Sequence, residues 1–397
     1  MIERKVELKE KERFLNDYTI SKEKLVSAAQ KATDKLLAVY KKRGYGFPGT
    51  CSVDYEYKFT DKTNWESGMY TGCFWLAYEL TGEKEFKDIA LSHLPAYKSN
   101  IDKKENIDDH DVGFMYSPSC VAAYKITGDE KIRDIALRTV EYFYDKSYSR
   151  EGKFIIRYWK AWDDEWGCRT MMDSLMNAPF LFWAAKETGN KEYYDAAYQH
   201  NLTTEKLLIR EDGSSFHHYQ FDPKTSKPVR GLTFQGYADT SCWSRGHSWG
   251  VYGLPIAYSY TKDEDIRKTH MAITNFMLNN LPSDLIPYWD FDFKEPSNEL
   301  RDSSVGAICS CGMLEMANLI EDEAPEKRIY RNASNMLVDA IIDNCTGDIG
   351  VEYDGLINHV THAVPQKQGF DQCAVYGDYF YLEALLRLLK PDWERYW

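Results

Sequence analysis

Apolar residues recur at helical spacing along almost the whole chain. Over 21–40, Leu25, Ala28, Ala32, Leu36 and Val39 fall at steps of three and four. This predicts an amphipathic helix capped by Ser21 and stopped at Lys42-Arg43-Gly44. A two-part unit then repeats. Trp75-Leu-Ala-Tyr-Glu-Leu-Thr81-Gly82 is an apolar run ending in Thr-Gly, and a charged amphipathic run through Asp88 and Ala90 follows it. The same order returns at Val121 to Ala136 around Thr127-Gly128 and at Phe182 to Ala197 around Thr188-Gly189, and a weaker copy spans Ile256 to Lys268 around Thr261. Glycine after a last helical turn is a C-terminal stop. The acidic residue beyond it in two copies starts the next helix with favourable dipole sense.

An all-apolar helix is buried, and a one-sided helix lies outside it. Six apolar segments can be counted, at about 66–80, 117–126, 174–187, 248–260, 304–320 and 377–389. Six inner helices alternating with outer ones predict an all-α fold, a closed (α/α)6 toroid or six-hairpin barrel. The irregular period fits an open solenoid less well. Short β pieces are expected in loops, at 153–158 and around 215–219. No Pro/Gly/Ser-rich linker divides the chain, so 1–397 reads as one catalytic domain with residues 1–20 as an N-terminal extension.

In a toroid the loops entering the inner helices open on one face. Here they carry Asn64-Trp65-Glu66, His110-Asp111, Asp173, Trp243-Ser-Arg245-Gly-His247-Ser-Trp249, Arg301-Asp302-Ser303 and Tyr376-Gly-Asp378. Polar and aromatic side chains therefore gather at one mouth, the expected place for a ligand pocket. The densest stretch is Asp108-Asp109-His110-Asp111. Taken alone it reads as a solvated acidic loop capping the next helix. In the mouth, carboxylates this crowded repel, and one of them should hold its proton. Asp173 sits between Met171-Met172 and Leu175-Met176, apolar surroundings for a carboxylate. It is either an N-cap or a buried proton donor. Asp111 and Asp173 lead successive inner helices and can face one another, and paired carboxylates are the equipment of glycoside chemistry.

The remaining candidates each have a structural alternative. Arg245 offers a planar fork for a sugar carboxylate, or a structural salt bridge. Trp65, Trp159, Trp162 and Trp249 are candidates for stacking on sugar rings or for core packing. His217 and His218 divide into a ligand contact and a surface residue, and Gln235-Gly236 is a loop pair. No metal is expected: the acidic stretch has neither EF-hand spacing nor an HExxH helix.

Bulk properties narrow the field. The chain has 397 residues, 43% hydrophobic and 15% aromatic, with 29 Tyr and 11 Trp, enough for a large core and for sugar platforms. A net charge of −13 argues against nucleic-acid and anionic-membrane partners. Nine cysteines without a CxxC pair, and an N-terminus without an apolar h-region, point to a reduced, cytoplasmic protein.

Several pieces, in order along the chain, carry a family resemblance: Asn64-Trp65-Glu-Ser-Gly68, His110-Asp111-Val-Gly-Phe114, Met171-Met-Asp173-Ser-Leu-Met-Asn177, Asp212-Gly-Ser-Ser-Phe-His217, Gln235-Gly236, Trp243-Ser-Arg245-Gly-His-Ser-Trp249 and Tyr376-Gly-Asp378. In these the chain resembles the unsaturated glucuronyl hydrolases of glycoside hydrolase family 88. The resemblance implies an (α/α)6 barrel without metal or organic cofactor. It also implies hydration of the 4,5-unsaturated uronic acid on glycosaminoglycan-derived disaccharides. Asp173 matches the general acid and base, and Asp111 the second essential aspartate. Trp65, His110, His217, Gln235, Arg245 and Trp249 match substrate-contacting positions. The loop 362–371 corresponds to a sulfate-contacting region, where Lys367 is the only cation. Three alternatives stand: an unsaturated rhamnogalacturonyl hydrolase, a sugar epimerase on a similar toroid, and a noncatalytic sugar-binding protein.

Overall fold

The computed structural model describes residues 4–161, 167–347 and 353–397. A short helix α1 (Lys11–Leu15) precedes six outer helices: α2 (Lys22–Arg43), α4 (Lys84–Lys103), α7 (Glu130–Ser147), α9 (Lys191–Leu208), α11 (Glu264–Asn279) and α13 (Pro325–Asn344). They alternate with six inner ones. These are α3 (Ser67–Thr81), a broken helix formed by α5 (Val112–Tyr116) and α6 (Ala122–Thr127), then α8 (Ser174–Thr188), α10 (Ser244–Thr261), α12 (Ser303–Leu319) and α14 (Val375–Leu389). The last inner helix packs beside the first and closes the ring. The expected toroid is what the chain forms, and its expected inner segments match within a few residues except the second.

That segment begins at Val112, five residues earlier than the pattern suggested, and carries a π turn at Ser117–Val121. Pro118 has no N–H to give to the preceding turn. The Ser119 hydroxyl donates to the Met115 carbonyl instead, at 2.5 Å. A π turn within an inner helix is a feature often found beside functional sites.

The Thr-Gly stops work as a repeated device. Thr81, Thr127 and Thr188 donate back to the carbonyls of Ala77, Ala123 and Ala184 at 2.8, 2.6 and 2.7 Å, and each accepts from the backbone N–H two residues on. Gly82, Gly128 and Gly189 adopt φ of 77°, 69° and 73°. The weak fourth copy keeps the threonine bond but places Lys262 at φ 53°, so the left-handed turn persists without its glycine.

The inner helices meet at close range because glycines face neighbouring backbones. A Cβ on Gly312 would lie 2.4 Å from the Val251 carbonyl oxygen, and one on Gly253 2.6 Å from that of Leu175. The C-terminal Trp397 stacks on Phe380 and meets Phe114 edge-on. Its indole donates to Glu383 at 3.0 Å, within a buried network of Arg387, Glu315 and Tyr252.

Three small sheets decorate the loops: β1 (Phe47–Pro48) with β2 (Phe59–Thr60), β3 (Tyr148–Ser149) with β4 (Phe154–Ile155), and the ladder β5 (Arg169–Met171), β6 (His218–Phe221) and β7 (Pro228–Leu232). The two expected β pieces are thus present but shorter or shifted. β5 was not foreseen, because three residues carry no period. β7 was not foreseen either, because it opens on a proline and lies mostly exposed. The N-terminal residues pack against α13, with Phe14 buried and Asn332 donating to the carbonyls of Phe14 and Asn16. No helix among the described residues is long and apolar enough to cross a membrane.

Two glycines of α12 make opposite predictions. Gly312→Ala should destabilise by about 1–3 kcal/mol, since backbone must move to admit the methyl group. Gly306→Ala meets side-chain atoms only, Ile341 at 3.2 Å and Leu337 at 3.8 Å, which need give by only a few tenths of an ångström, and it should be neutral or gain up to about 1 kcal/mol of helix propensity. Urea unfolding midpoints of the two variants check this.

Candidate active site

β5 runs straight into α8 and puts Asp173 at the helix start. The Met172 N–H donates to the His217 carbonyl at 2.9 Å, fixing the two segments together. Asp173 occupies the N-cap position but, among the described residues, its side chain caps nothing. The carboxylate is 15% exposed, and its Oδ2 has no hydrogen-bond partner. Of the two readings the sequence left open, the N-cap is thereby excluded. Burial raises the pKa of this carboxyl, and His110 opposes the rise.

His217 faces it. Its Nε2 lies 3.8 Å from Asp173 Oδ2, too far for a hydrogen bond. Its Nδ1 accepts from the N–H groups of Phe234 and Gln235 at 3.2 and 3.3 Å. Two donors aimed at Nδ1 leave the proton on Nε2, directed at Asp173. Burial holds the imidazole well below its ordinary pKa, so it is a neutral donor.

Asp111 starts α5 and likewise makes no cap bond among the described residues. Asn177, one turn along α8, connects the two acids. Its Nδ2 donates to Asp111 Oδ1 at 3.3 Å and to the Asp173 carbonyl at 3.1 Å, while its Oδ1 accepts from the Phe114 N–H at 2.8 Å. Gly113 allows this approach, since a Cβ there would sit 2.7 Å from the Asn177 Cα. Asn177 was quoted in a motif but given no role; its i+4 spacing from Asp173 was the available signal.

His110 is buried between two carboxylates. Nδ1 pairs with Asp109, and Nε2 lies 3.3 Å from Asp111 Oδ1. Burial disfavours its charge, but Asp111 and Asp109 outweigh this and lift its pKa to about 9. Asp109, whose side chain is 46% exposed, keeps a lowered pKa: its partial burial would raise it, but His110 outweighs this. Asp111 is lifted by burial to about 7, against the pull of His110, with Asp109 and Asp173 adding to the rise. Asp109, His110 and Asp111 could also hold a cation by spacing.

Trp65 lines a cavity of about 350 Å³ with Asn64, Asp108, Asp111 and Tyr158, and its ring stacks on Tyr376 at 5.9 Å and 14°. Trp249 is buried beneath, 5.0 Å from Phe114. Arg245 is 1% exposed. It pairs with Asp302, donates to the carbonyls of Thr361 and His362, and sits between the rings of Trp243 and Tyr376 at 4.7 and 4.6 Å. Its terminal nitrogens therefore serve the protein, anchoring the hairpin that carries Lys367. Gln235 donates to the same His362 carbonyl at 3.1 Å. Lys367 lies exposed at that hairpin's turn.

Other sequence candidates lie apart. Trp159 packs on a satellite cluster with Phe154 and Phe221, flanked by the ammonium groups of Lys146 and Lys160, while its neighbour Tyr158 lines the cavity. Trp162 lies outside the described residues. His218 is not at the surface: it is buried on β6, 3.0 Å from an Arg169 nitrogen. Asp378 is held by Tyr57 and the N–H groups of Leu356 and Ile357, as a structural anchor.

Two largely buried aspartates thus head adjacent inner helices of an (α/α)6 toroid, an arrangement suited to glycoside chemistry. The model of Glycosyl Hydrolase Family 88 matches residues 29–384, and the chain belongs to that family. It is 38% identical over 396 residues to an unsaturated chondroitin disaccharide hydrolase of Streptococcus pneumoniae, covering 98% of both chains. It superposes on the crystal structure of an unsaturated glucuronyl hydrolase from Streptococcus agalactiae with a TM-score of 0.95, at 34% identity and 99% coverage of each chain. A mutant of the latter, complexed with dGlcA-GalNAc6S, superposes with a TM-score of 0.88, at 33% identity and 99% coverage of both.

The raised pKa of Asp173 carries a stability signature. A carboxyl whose folded pKa lies above its unfolded one costs stability above the unfolded value of about 3.9, and nothing well below it. Asp173→Asn should therefore raise the unfolding temperature at pH 7–8, with the gain shrinking towards zero below pH ~4. Calorimetry across that range measures it.

Proposed function

We propose that the protein removes the 4,5-unsaturated uronic acid from chondroitin- and hyaluronan-derived disaccharides by hydrating the C4=C5 enol ether. The observation that carries the reading is Asp173: a largely buried, uncapped carboxyl at the mouth, with the His217 imidazole Nε2 3.8 Å away. Hydrating a vinyl ether needs a carboxylic acid that is still protonated near neutral pH. The names of the relatives and the disaccharide bound in a neighbouring structure support the substrate class.

In this mechanism Asp173 gives its proton to C4, and positive charge develops at C5 and the ring oxygen. The resulting carboxylate takes a proton from water as the water oxygen bonds to C5, which regenerates the acid. The hemiketal at C5 opens, and rearrangement releases the aglycone alcohol at C1. Asp111, held by Asn177 and 3.3 Å from His110, orients the sugar, while burial, with Asp109 adding to it, favours the protonated form of Asp173. The His217 N–H steadies Asp173 when it is ionised. Trp65 supplies a ring face for the sugar, with Tyr376 behind it. No cofactor takes part. Nine free thiols, eight of them buried, suit a reducing cytoplasm, where disaccharides rather than polymers would be met.

Loss of the ultraviolet absorbance of the conjugated double bond tests the reading. Wild type should consume unsaturated chondroitin and hyaluronan disaccharides, and Asp173→Asn should lose about a thousandfold in kcat while still binding. No decay with wild type, or decay only with an unsaturated rhamnogalacturonan disaccharide, would overturn it. Lys367 is assigned to a sulfate on the acceptor sugar. Lys367→Ala should cut the preference for a sulfated over an unsulfated disaccharide about three- to tenfold. An unchanged preference would remove that assignment.

A further inference from the structure

One buried group at the mouth has no part in the chemistry above. Glu66 is fully enclosed, and neither of its carboxylate oxygens has a hydrogen-bond partner among the described residues. Buried polar atoms are rarely left this way without a reason. Its position is also informative. Glu66 follows Trp65, whose ring stacks on Tyr376 and borders the cavity. It precedes α3, whose Gly68 lies against the carbonyls of Phe114 and Met115, in the helix that Asp111 starts. One residue thus adjoins both the aromatic platform and the acid pair's support.

The groups facing it are the Thr50 hydroxyl, the Cys51 thiol, the Tyr376 phenol, the Asp111 carboxyl and the Arg245 guanidinium. Arg245 is the one cation among them, and Asp302 already neutralises it. An ionised Glu66 would be enclosed, with only the Thr50 hydroxyl and its own N–H near enough to favour it and neither at full hydrogen-bond geometry, and it would be opposed by Asp111.

We infer that Glu66 is a positioning residue used as a neutral carboxylic acid. With its proton it fills the wall between Trp65, Tyr376 and Asp111; without it, it sets a further negative charge against Asp111 and against an anionic sugar. Burial pushes its pKa up to about 8, the Thr50 hydroxyl and Arg245 oppose the rise, and Asp111 adds to it. Glu66 therefore limits activity on the alkaline side, separately from the loss of the Asp173 proton.

The inference rests on the hydration reading. Wild-type absorbance decay alone tests that reading, whereas a ratio of two pH profiles tests Glu66, so the two can fail separately. The measurement is kcat/KM of Glu66→Gln and of wild type from pH 6 to pH 9 on an unsaturated chondroitin disaccharide. Gln keeps the shape and cannot ionise. Ionisations common to both proteins cancel in the ratio, so the ratio of variant to wild type should rise about tenfold between pH 7 and pH 9, as wild-type Glu66 ionises. A ratio independent of pH would overturn the inference. If Glu66→Gln does not fold, Thr50→Val serves: deleting the hydroxyl that favours the ionised form should move the wild-type alkaline limb to higher pH, and an unmoved limb would equally overturn it.

Discussion

Carboxyl groups crowded and partly buried around one imidazole are the constraint on which the mouth of this toroid depends. Each unpaired buried charge would cost several kcal/mol. The cluster avoids that cost by leaving protons on some acids and pairing the rest. Asp109 is held low by His110, and Asp302, though burial raises its pKa, is kept charged by its ion pair with Arg245, while Asp111, Asp173 and Glu66 are all pushed towards their neutral forms. A pocket with this many carboxyls can then take an anionic sugar, because few of them carry charge. The acid needed for proton transfer and the tolerance of an anionic ligand have the same physical origin.

The architecture supplies the dryness. Closing six inner helices into a ring puts their first residues on one rim, and glycine contacts such as Gly312 on Val251 bring those helices close enough to exclude water between them. Phe114 packs against Trp65 and Trp249, and Trp397 meets Phe114 edge-on. The site is therefore backed by an aromatic cluster, and Asn177 ties it to both acids by accepting from the Phe114 N–H while donating to Asp111 and to the Asp173 carbonyl.

The sequence was legible where one rule acts locally. Thr-Gly stops announced the helix ends because glycine and threonine perform the turn themselves, and apolar runs announced the inner helices because burial on all sides leaves no polar face. The dryness of Asp173 could be read from its methionine and leucine neighbours. What stayed hidden depends on residues brought together from afar. The partners of Arg245 come from 57 and more positions away, including two backbone carbonyls that no side-chain pattern advertises. The early start of the second inner helix was masked by Gly113, which reads as a breaker but is there to admit Asn177. His218 was misread because its ladder position on β6 sets its burial, and that ladder includes two strands with no period of their own.

The account's central claim is that Asp173 protonates C4 of an enol ether, with no attack at the anomeric carbon. Running the reaction in deuterated water and following the first turnovers by NMR, before the keto product exchanges, tests it most directly. The account predicts one deuteron delivered to C4, on a single face, as the double bond is lost. Release of the aglycone with the C4=C5 bond intact and no deuterium at C4 would contradict it.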